Sequence, residues 1–226
     1  PDSGGYPEAR LFLFACMYGD RQAAAEFMKK FDLQFATAYW YTPRCFEAYK
    51  AWAAGDRDQL PRTSVLYEAL EENAPGQVGQ WLELGEDPNE MNVYGWLPLQ
   101  QALIEESVES GRLLLEYGAD PNFIANQATQ TTLLQQALDR RQEEFALALI
   151  EHGADVNAKN NELWRPLHYA VNRQLYAAVD ALLEKGADLD ARILEGDTPL
   201  MLAIEKRDPK LMKPLLEAGA DPQVPY

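Results

Sequence analysis

Few residues in this sequence of 226 amino acids belong to the types that usually perform covalent chemistry. It has two cysteines, Cys16 and Cys45, and two histidines, His152 and His168. A cysteine becomes a strong nucleophile when a base such as histidine takes its proton, but neither histidine is near a cysteine in the sequence. No phosphate-binding glycine loop, Cys/His metal-ligand pair or Gly-x-Ser-x-Gly motif occurs. We therefore expect a non-catalytic protein without a cofactor or metal, with an enzyme that uses a cysteine nucleophile as an alternative.

The cysteines and the apolar segments also bear on the cellular compartment. Two cysteines are too few for a disulfide framework, and two buried thiols are a better interpretation than one bridge. No run of 18 apolar residues occurs, so no membrane span is expected. The sequence opens on Pro1 without a signal-peptide pattern. We expect a cytoplasmic protein, or an exported one if a leader was removed before Pro1.

A short Leu-Glu-x-Gly-Ala-Asp segment, with small variations, recurs five times in the last three-quarters of the chain. The separations between its glycines are 33, 35, 33 and 33 residues. A fixed period of this size indicates an architecture of stacked repeats. The glycines of the five segments are Gly85, Gly118, Gly153, Gly186 and Gly219.

A second motif recurs with the same period as the first and predicts the start of a helix. It reads Thr-Pro-Leu-x-x-Ala in its fullest form, with proline suited to the first helical turn and threonine to the cap. Its Leu and Ala lie three residues apart and should face the core. The later glycine should end a second helix in a left-handed conformation. The motif occupies residues 64–69, 97–102, 132–137, 165–170 and 198–203.

These two motifs and their 33-residue period resemble the ankyrin repeat. The resemblance covers residues 60–226 as five units, which are 60–92, 93–125, 126–160, 161–193 and 194–226. It implies an all-α solenoid of stacked helix–turn–helix units with hairpin-like loops. It also implies that a protein partner binds on the concave side, formed by the loop tips and the first helices. His168 matches the histidine of the family's core motif, which implies that it braces turns through hydrogen bonds.

Two local departures from the repeat carry structural expectations. The third unit has Leu133 in place of proline and two extra residues before it, so we expect a longer loop finger around residues 123–130. Pro214 lies inside the last predicted helix, where proline removes a backbone hydrogen bond, so we expect a kink or a short helix there.

The first part of the chain is built differently. We divide the chain into a helical N-terminal cap region, residues 1–61, and an ankyrin-repeat domain, residues 62–226. The N-terminal region is rich in aromatic residues and almost balanced in charge. A solenoid needs its open end covered, which favours a cap on the first repeat. Alternatively, the aromatic residues form a separate binding module.

The repeats hold nearly all of the net charge of −16, because residues 60–226 contain 28 acidic and 13 basic residues. Acidic residues recur where each first helix ends, except in the fourth unit, which has Asn172, Arg173 and Gln174. Stacking should align these acids into a stripe. The stripe is either a solvated surface that favours solubility or a ridge that attracts a basic partner, and it disfavours nucleic acid as a ligand.

We therefore predict a protein-binding module that holds a basic region of its partner on an acidic concave face. A subsidiary hypothesis is that it blocks a cationic partner, as an inhibitor or immunity protein does. The alternative is an assembly protein that forms homo-oligomers through its ends, although a monomer is favoured. The candidate contact residues combine apolar loop tips with helix-end acids: Met91, Tyr94, Trp96, Glu105, Glu106, Glu109, Phe123, Ile124, Asp139, Glu143, Glu144, Trp164 and Leu194.

Overall fold

The described structure is a stack of five helix pairs. A computed structural model describes residues 65–83, 85–92 and 95–223, and the N-terminal cap region therefore lies outside the described residues. The helices are α1 (Val65–Glu71), α2 (Pro75–Glu83), α3 (Pro98–Ile104), α4 (Val108–Glu116), α5 (Leu133–Asp139), α6 (Glu143–Glu151), α7 (Pro166–Arg173), α8 (Tyr176–Glu184), α9 (Pro199–Glu205) and α10 (Pro209–Glu217).

Consecutive pairs bury one another. Each first helix packs against its own second helix, and the second helices of neighbouring repeats stack on one another. The first helices of neighbouring repeats also pack together, except that α3 and α5 approach each other less closely. The Leu and Ala of the repeated motif lie in this interface: Leu99 and Leu167 are 1% exposed, and Ala102 and Ala170 are fully buried. No single pair has a closed core, so its apolar side chains are covered only by stacking. This confirms the predicted all-α ankyrin-type solenoid.

Both helices of a repeat end in a left-handed residue. After each second helix this residue is the predicted glycine, such as Gly118 with φ +90°. The amide of Ala119 then donates to the carbonyl of Leu114 at 2.9 Å, which closes a Schellman-type end. After each first helix the left-handed residue is not glycine, although its φ lies between 49° and 62°. These residues are Asn73, Glu106, Arg141, Gln174 and Arg207.

The predicted threonine caps are present. Thr198 Oγ1 accepts the amide hydrogen of Met201 at 3.3 Å. Thr132 Oγ1 accepts from the Gln135 amide at 3.3 Å, and Gln135 Oε1 accepts from the Thr132 amide at 2.9 Å. This reciprocal pair is a capping box, which replaces the missing proline as the signal that starts α5. Leu97 has no side-chain acceptor, and α3 begins without a side-chain cap.

The two local departures have different outcomes. The finger of the third repeat is a small antiparallel hairpin of β1 (Ile124–Asn126) and β2 (Thr131–Thr132), so the insertion lies in the loop as predicted. The expectation of a short helix at Pro214 is wrong, because α10 runs through it and has nine residues, as α8 has. Pro214 is the sixth residue of α10, so it removes only one early helical hydrogen bond.

Candidate protein-binding surface

In each of the first four repeats, one side chain of the first helix joins its repeat to the loop of the next. This residue is the third of the helix, and its polar tip donates to a backbone carbonyl 23 to 29 positions further along the chain. Tyr67 donates its hydroxyl hydrogen to Glu90 O at 2.8 Å. Gln135 Nε2 donates to the carbonyls of Ala158 at 2.9 Å and Trp164 at 2.8 Å. The loop tips are thereby held in register with the first helices.

His168 fills this position in the fourth repeat. Its Nδ1 accepts the Arg165 amide hydrogen at 3.1 Å, so the ring proton lies on Nε2, which donates to Ala191 O at 3.0 Å. The side chain is fully buried, and burial lowers the pKa of His168 to about 4. The neutral ring is therefore a structural bracket, which agrees with the role that the resemblance implied.

A second series of side chains that connects neighbouring repeats consists of asparagines in the loops, which we call the asparagine ladder. Asn122 Nδ2 donates to Gly153 O at 3.3 Å, while its Oδ1 accepts from the amide of Asp155 at 2.7 Å. Asn89 and Asn157 make the same two bonds to the next repeat. Each asparagine thus spans two repeats with both ends of its amide.

The loop tips form a continuous row from the third to the fifth repeat. The amide of Asn161 donates to Thr129 O at 2.9 Å, and the amide of Leu194 donates to Glu162 O at 3.2 Å. These bonds bring the tips that the sequence predicted into neighbouring positions. Leu194 is 65% exposed at the end of the row, and Met91 is 54% exposed at the end of the first repeat. Phe123 and Ile124 are half-buried, and Tyr94 lies outside the described residues.

The two equivalent tryptophans have different surroundings. The Trp164 ring packs against Tyr169, with ring centroids 5.1 Å apart, and against His168 at 6.0 Å. Trp96 is 40% exposed, and its hydrogen bonds involve its backbone: its amide donates to Asn92 Oδ1 at 3.0 Å, and its carbonyl accepts the Asn92 amide hydrogen at 2.9 Å. Trp164 is therefore mainly a packing residue, whereas Trp96 remains available for a partner.

Several predicted acids are occupied by contacts within the fold. Asp139 forms an ion pair with Arg173 of the next repeat, with N···O 2.6 Å. Glu143 Oε1 accepts the amide hydrogen of Ala178 at 3.0 Å, which caps the first turn of α8. Glu105 accepts a hydrogen bond from Gln101 at 2.8 Å. These three carboxylates therefore have structural roles that sequence reasoning missed, because their partners lie one helical turn or one repeat away.

Six other acids at the same turns are exposed, and their side chains make no hydrogen bond or ion pair within the described part of the chain. Glu205 is alone in the fifth repeat, whereas the other five lie together on the first three repeats, where the first helix passes into the second. We call this set the acidic turns: Glu71, Glu72, Glu106, Glu109 and Glu144.

The stripe of acids is interrupted in the fourth repeat. Residues 60–125 contain twelve acidic and two basic residues, whereas residues 161–226 contain eleven acidic and eight basic residues. Asp208 in the fifth repeat accepts hydrogen bonds from Tyr176 at 2.7 Å and from Gln174 at 3.0 Å. These bonds lower the pKa of Asp208. The net negative charge is therefore concentrated on the first two repeats, and the break that the sequence predicted in the fourth repeat is followed by two further acids, Glu205 and Asp208.

The acidic turns and the loop tips lie at opposite ends of the first helices. The tips precede the first residue of each first helix, and the acids follow its last residue. A helix of seven residues, such as α3, is about 10 Å long. A single partner that touches both sets must therefore span the length of the first helices.

Two further features concern other kinds of site. Within the described residues there is no group of three or more His, Cys, Asp or Glu that could hold a metal ion. In the same part of the chain no helix is long and apolar enough to cross a membrane. Cys16 and Cys45 lie outside the described residues, so the structure does not test the hypothesis of a cysteine nucleophile.

A comparison with known protein families identifies the type of repeat. The family model described as Ankyrin repeats (3 copies) matches residues 66–160, 125–193 and 159–225, which together span most of the chain. No curated protein matches the chain. Ankyrin repeats are generally protein–protein interaction modules and typically have no catalytic activity. With its five stacked pairs and this match, the chain belongs to the ankyrin-repeat family.

Proposed function

We propose that this chain binds a protein partner through the acidic turns, which engage a basic segment of that partner. The observation that supports the proposal is the distinction between occupied and unoccupied carboxylates. Asp139, Glu143 and Glu105 are used by the fold, but the acidic turns have no side-chain partner in the described structure. Unpaired charges of one sign on one surface attract an opposite charge and accelerate association.

The exposed loop tips supply the apolar part of the proposed surface. Trp96 and Met91 lie at the junction of the first and second repeats, close in the chain to Glu106 and Glu109. Aromatic and methionine side chains are common in the centre of interfaces, with charged residues at the rim. We expect the partner to lie along α3, with its basic segment at the acidic turns and an apolar residue near Trp96.

A charge-reversal experiment with a matched control tests this proposal. The test variant is Glu106→Lys/Glu109→Lys/Glu144→Lys, which leaves the occupied carboxylates intact. The control variant is Glu83→Lys/Glu116→Lys/Glu184→Lys, which changes exposed acids at the ends of second helices by the same total charge. The probe is a fluorescent peptide of about 12 residues, rich in Lys and Arg, titrated at several salt concentrations.

We expect the test variant to bind the peptide at least tenfold more weakly and with a smaller salt dependence, and the control to change little. Equal losses in both variants would show that only total charge matters, and this would contradict a site at the acidic turns. The same pair of variants, used as bait, should lose and retain a natural partner respectively. An inhibitory or immunity-type role is a special case of this proposal, in which the bound partner is inactivated.

A further inference from the structure

The fifth repeat exposes apolar side chains whose counterparts are buried in the earlier repeats. Ile204 is 53% exposed. The residues at the same position in the first four repeats, Leu70, Leu103, Leu138 and Val171, are all 0% exposed because the following repeat covers them. The C-terminal side of the fifth repeat therefore has the shape and apolar character of an inter-repeat interface.

Three more side chains extend this surface. Leu216 is 46% exposed, whereas Leu115 and Ile150 at the equivalent position are 5% and 2% exposed. Met201 and Met212 are partly exposed at positions that are buried in every earlier repeat. We call the four residues the terminal face: Met201, Ile204, Met212 and Leu216.

One polar connector between repeats is missing from the terminal face. Met201 stands where His168 and Gln135 donate to a carbonyl of the next loop. Gln223 stands where Asn157 donates to one glycine carbonyl and accepts an amide of the next repeat. The terminal face therefore retains the helix-packing surface of a repeat, with an apolar side chain in place of the group that binds the next loop. Such a face fits an amphipathic helix, which needs no loop connector.

Two basic side chains beside the terminal face indicate which charges a bound helix would carry. Arg207 occupies the position of Gln174, which reaches forward to Asp208 at 3.0 Å. Lys213 occupies the position of Arg112, which reaches forward to Glu151 at 2.8 Å. In one earlier repeat each, therefore, the residue at this position contacts a carboxylate of the element stacked on it. Apart from a weak pair of Lys213 with Glu217 at 3.7 Å, neither basic group has a side-chain partner in the described residues.

We propose that the terminal face, with Arg207 and Lys213 at its edge, binds an amphipathic helix of a protein partner that has acidic residues beside its apolar stripe. The helix buries Ile204 and Leu216 as a following repeat would, and its carboxylates meet the two basic side chains. This surface is distinct from the acidic turns, because it lies at the other end of the stack and has the opposite charge preference.

Binding of designed peptides to the full chain tests the proposal. One probe is a labelled helix of about 18 residues with a Leu stripe and Glu on its polar side, and the other has Lys in place of each Glu. Measurements are made near physiological salt, where the overall negative charge of the chain repels the acidic probe only weakly. The two probes are compared on the full chain that carries Glu106→Lys/Glu109→Lys/Glu144→Lys, in which the acidic turns no longer attract the basic helix. We expect the acidic helix to bind and the basic helix to bind at least tenfold more weakly.

Two pairs of substitutions locate the contact. Arg207→Glu/Lys213→Glu should weaken binding of the acidic helix about tenfold. Lys206→Glu/Lys210→Glu changes the same total charge in the same repeat, and it should have little effect. Lys206 occupies the position of Arg173, which reaches back to Asp139, and Lys210 lies over the ring of Tyr176. Ile204→Ser/Leu216→Ser should also weaken binding, and since both residues are exposed the fold should persist.

Several outcomes would overturn the proposal. These are absence of binding, equal binding of the acidic and basic helices, or equal losses in the two charge variants. Sedimentation that shows a dimer abolished by Ile204→Ser/Leu216→Ser would assign the face to a second copy of the chain instead. Retention of acidic-helix binding by Glu106→Lys/Glu109→Lys/Glu144→Lys would separate this surface from the acidic turns, so the two proposals can fail independently.

Discussion

Gly111 on α4 lies directly against the ring of Phe145 on α6. A Cβ atom built on Gly111 would be 2.6 Å from Phe145 Cε2 and 2.7 Å from Cζ. Phe145 is 1% exposed, so its ring has no free space into which it could move. The glycine allows the second helices of two neighbouring repeats to approach closely enough to bury this aromatic ring.

Gly111→Ala should therefore lower the free energy of unfolding by about 1–3 kcal/mol, since overpacking outweighs the better helix propensity of alanine. Gly79→Ala is the matched control, because its Cβ would meet Leu113 at an ordinary 3.7 Å. The control should raise stability by about 0.5–1 kcal/mol. Urea unfolding followed by circular dichroism measures both values. Equal effects of the two substitutions would show that the contact with Phe145 is unimportant.

Asp190 interrupts the asparagine ladder and offers a route to a more stable chain. Its Oδ1 accepts the amide of Asp221 at 3.0 Å, but a carboxylate cannot donate to the glycine carbonyl as Asn157 does to Gly186 at 3.1 Å. Asp190→Asn should add this bond and raise the free energy of unfolding by about 0.5–1.5 kcal/mol. Asn157→Asp is the converse change, and it should lower stability in the same urea assay. An Asp190→Asn variant no more stable than the original chain would contradict the proposed bond.

His168 should make stability depend on pH. Its pKa in the folded chain is about 4, below the ordinary value of 6.5, so between these values the unfolded chain binds a proton that the folded chain does not. Stability should be fully present above pH 6.5 and should fall as the pH decreases toward 4. The loss should be on the order of 3 kcal/mol over the whole interval.

The carboxylates titrate in part of the same interval, so a matched variant is needed. Glutamine already occupies the equivalent position in the third repeat as Gln135, where its side chain accepts the cap amide hydrogen and donates to a loop carbonyl. His168→Gln should therefore keep both types of hydrogen bond and remove the titrating ring. Urea midpoints at pH 5 and pH 7.5 should differ less for this variant than for the original chain. A pH dependence that is the same in both chains would rule out His168 as its source.

Much of the architecture could be predicted from the sequence because it repeats. The left-handed glycines, the buried Leu and Ala of each first helix and the threonine caps at Thr132 and Thr198 all follow from local rules. The turn after each first helix was harder to recognise, because residues such as Glu106 and Arg141 adopt a left-handed conformation without glycine. Stacking of the two helices imposes that conformation, and no local signal marks it.

The candidate surface could be predicted only in part. The repeat period was enough to predict that Glu106, Glu109 and Glu144 lie on one side of the stack, because equivalent residues of a solenoid fall on one line. It could not distinguish them from Asp139 and Glu143, whose partners lie 34 or 35 residues away. Likewise, Trp96 and Trp164 are equivalent in sequence, yet among the residues that the structure describes only Trp164 packs against an aromatic neighbour within its own repeat.

The sequence by itself determined the repeat, its helix boundaries and the side chains that face the core, since these depend on spacing along one chain. Only the tertiary structure decided which carboxylates are satisfied, which tryptophan is exposed and which face of the last repeat is uncovered. The physical reason is that hydrogen bonds and burial depend on groups that stacking brings together from different repeats. Even two equivalent residues of the same type, such as Trp96 and Trp164, have different neighbours in different repeats.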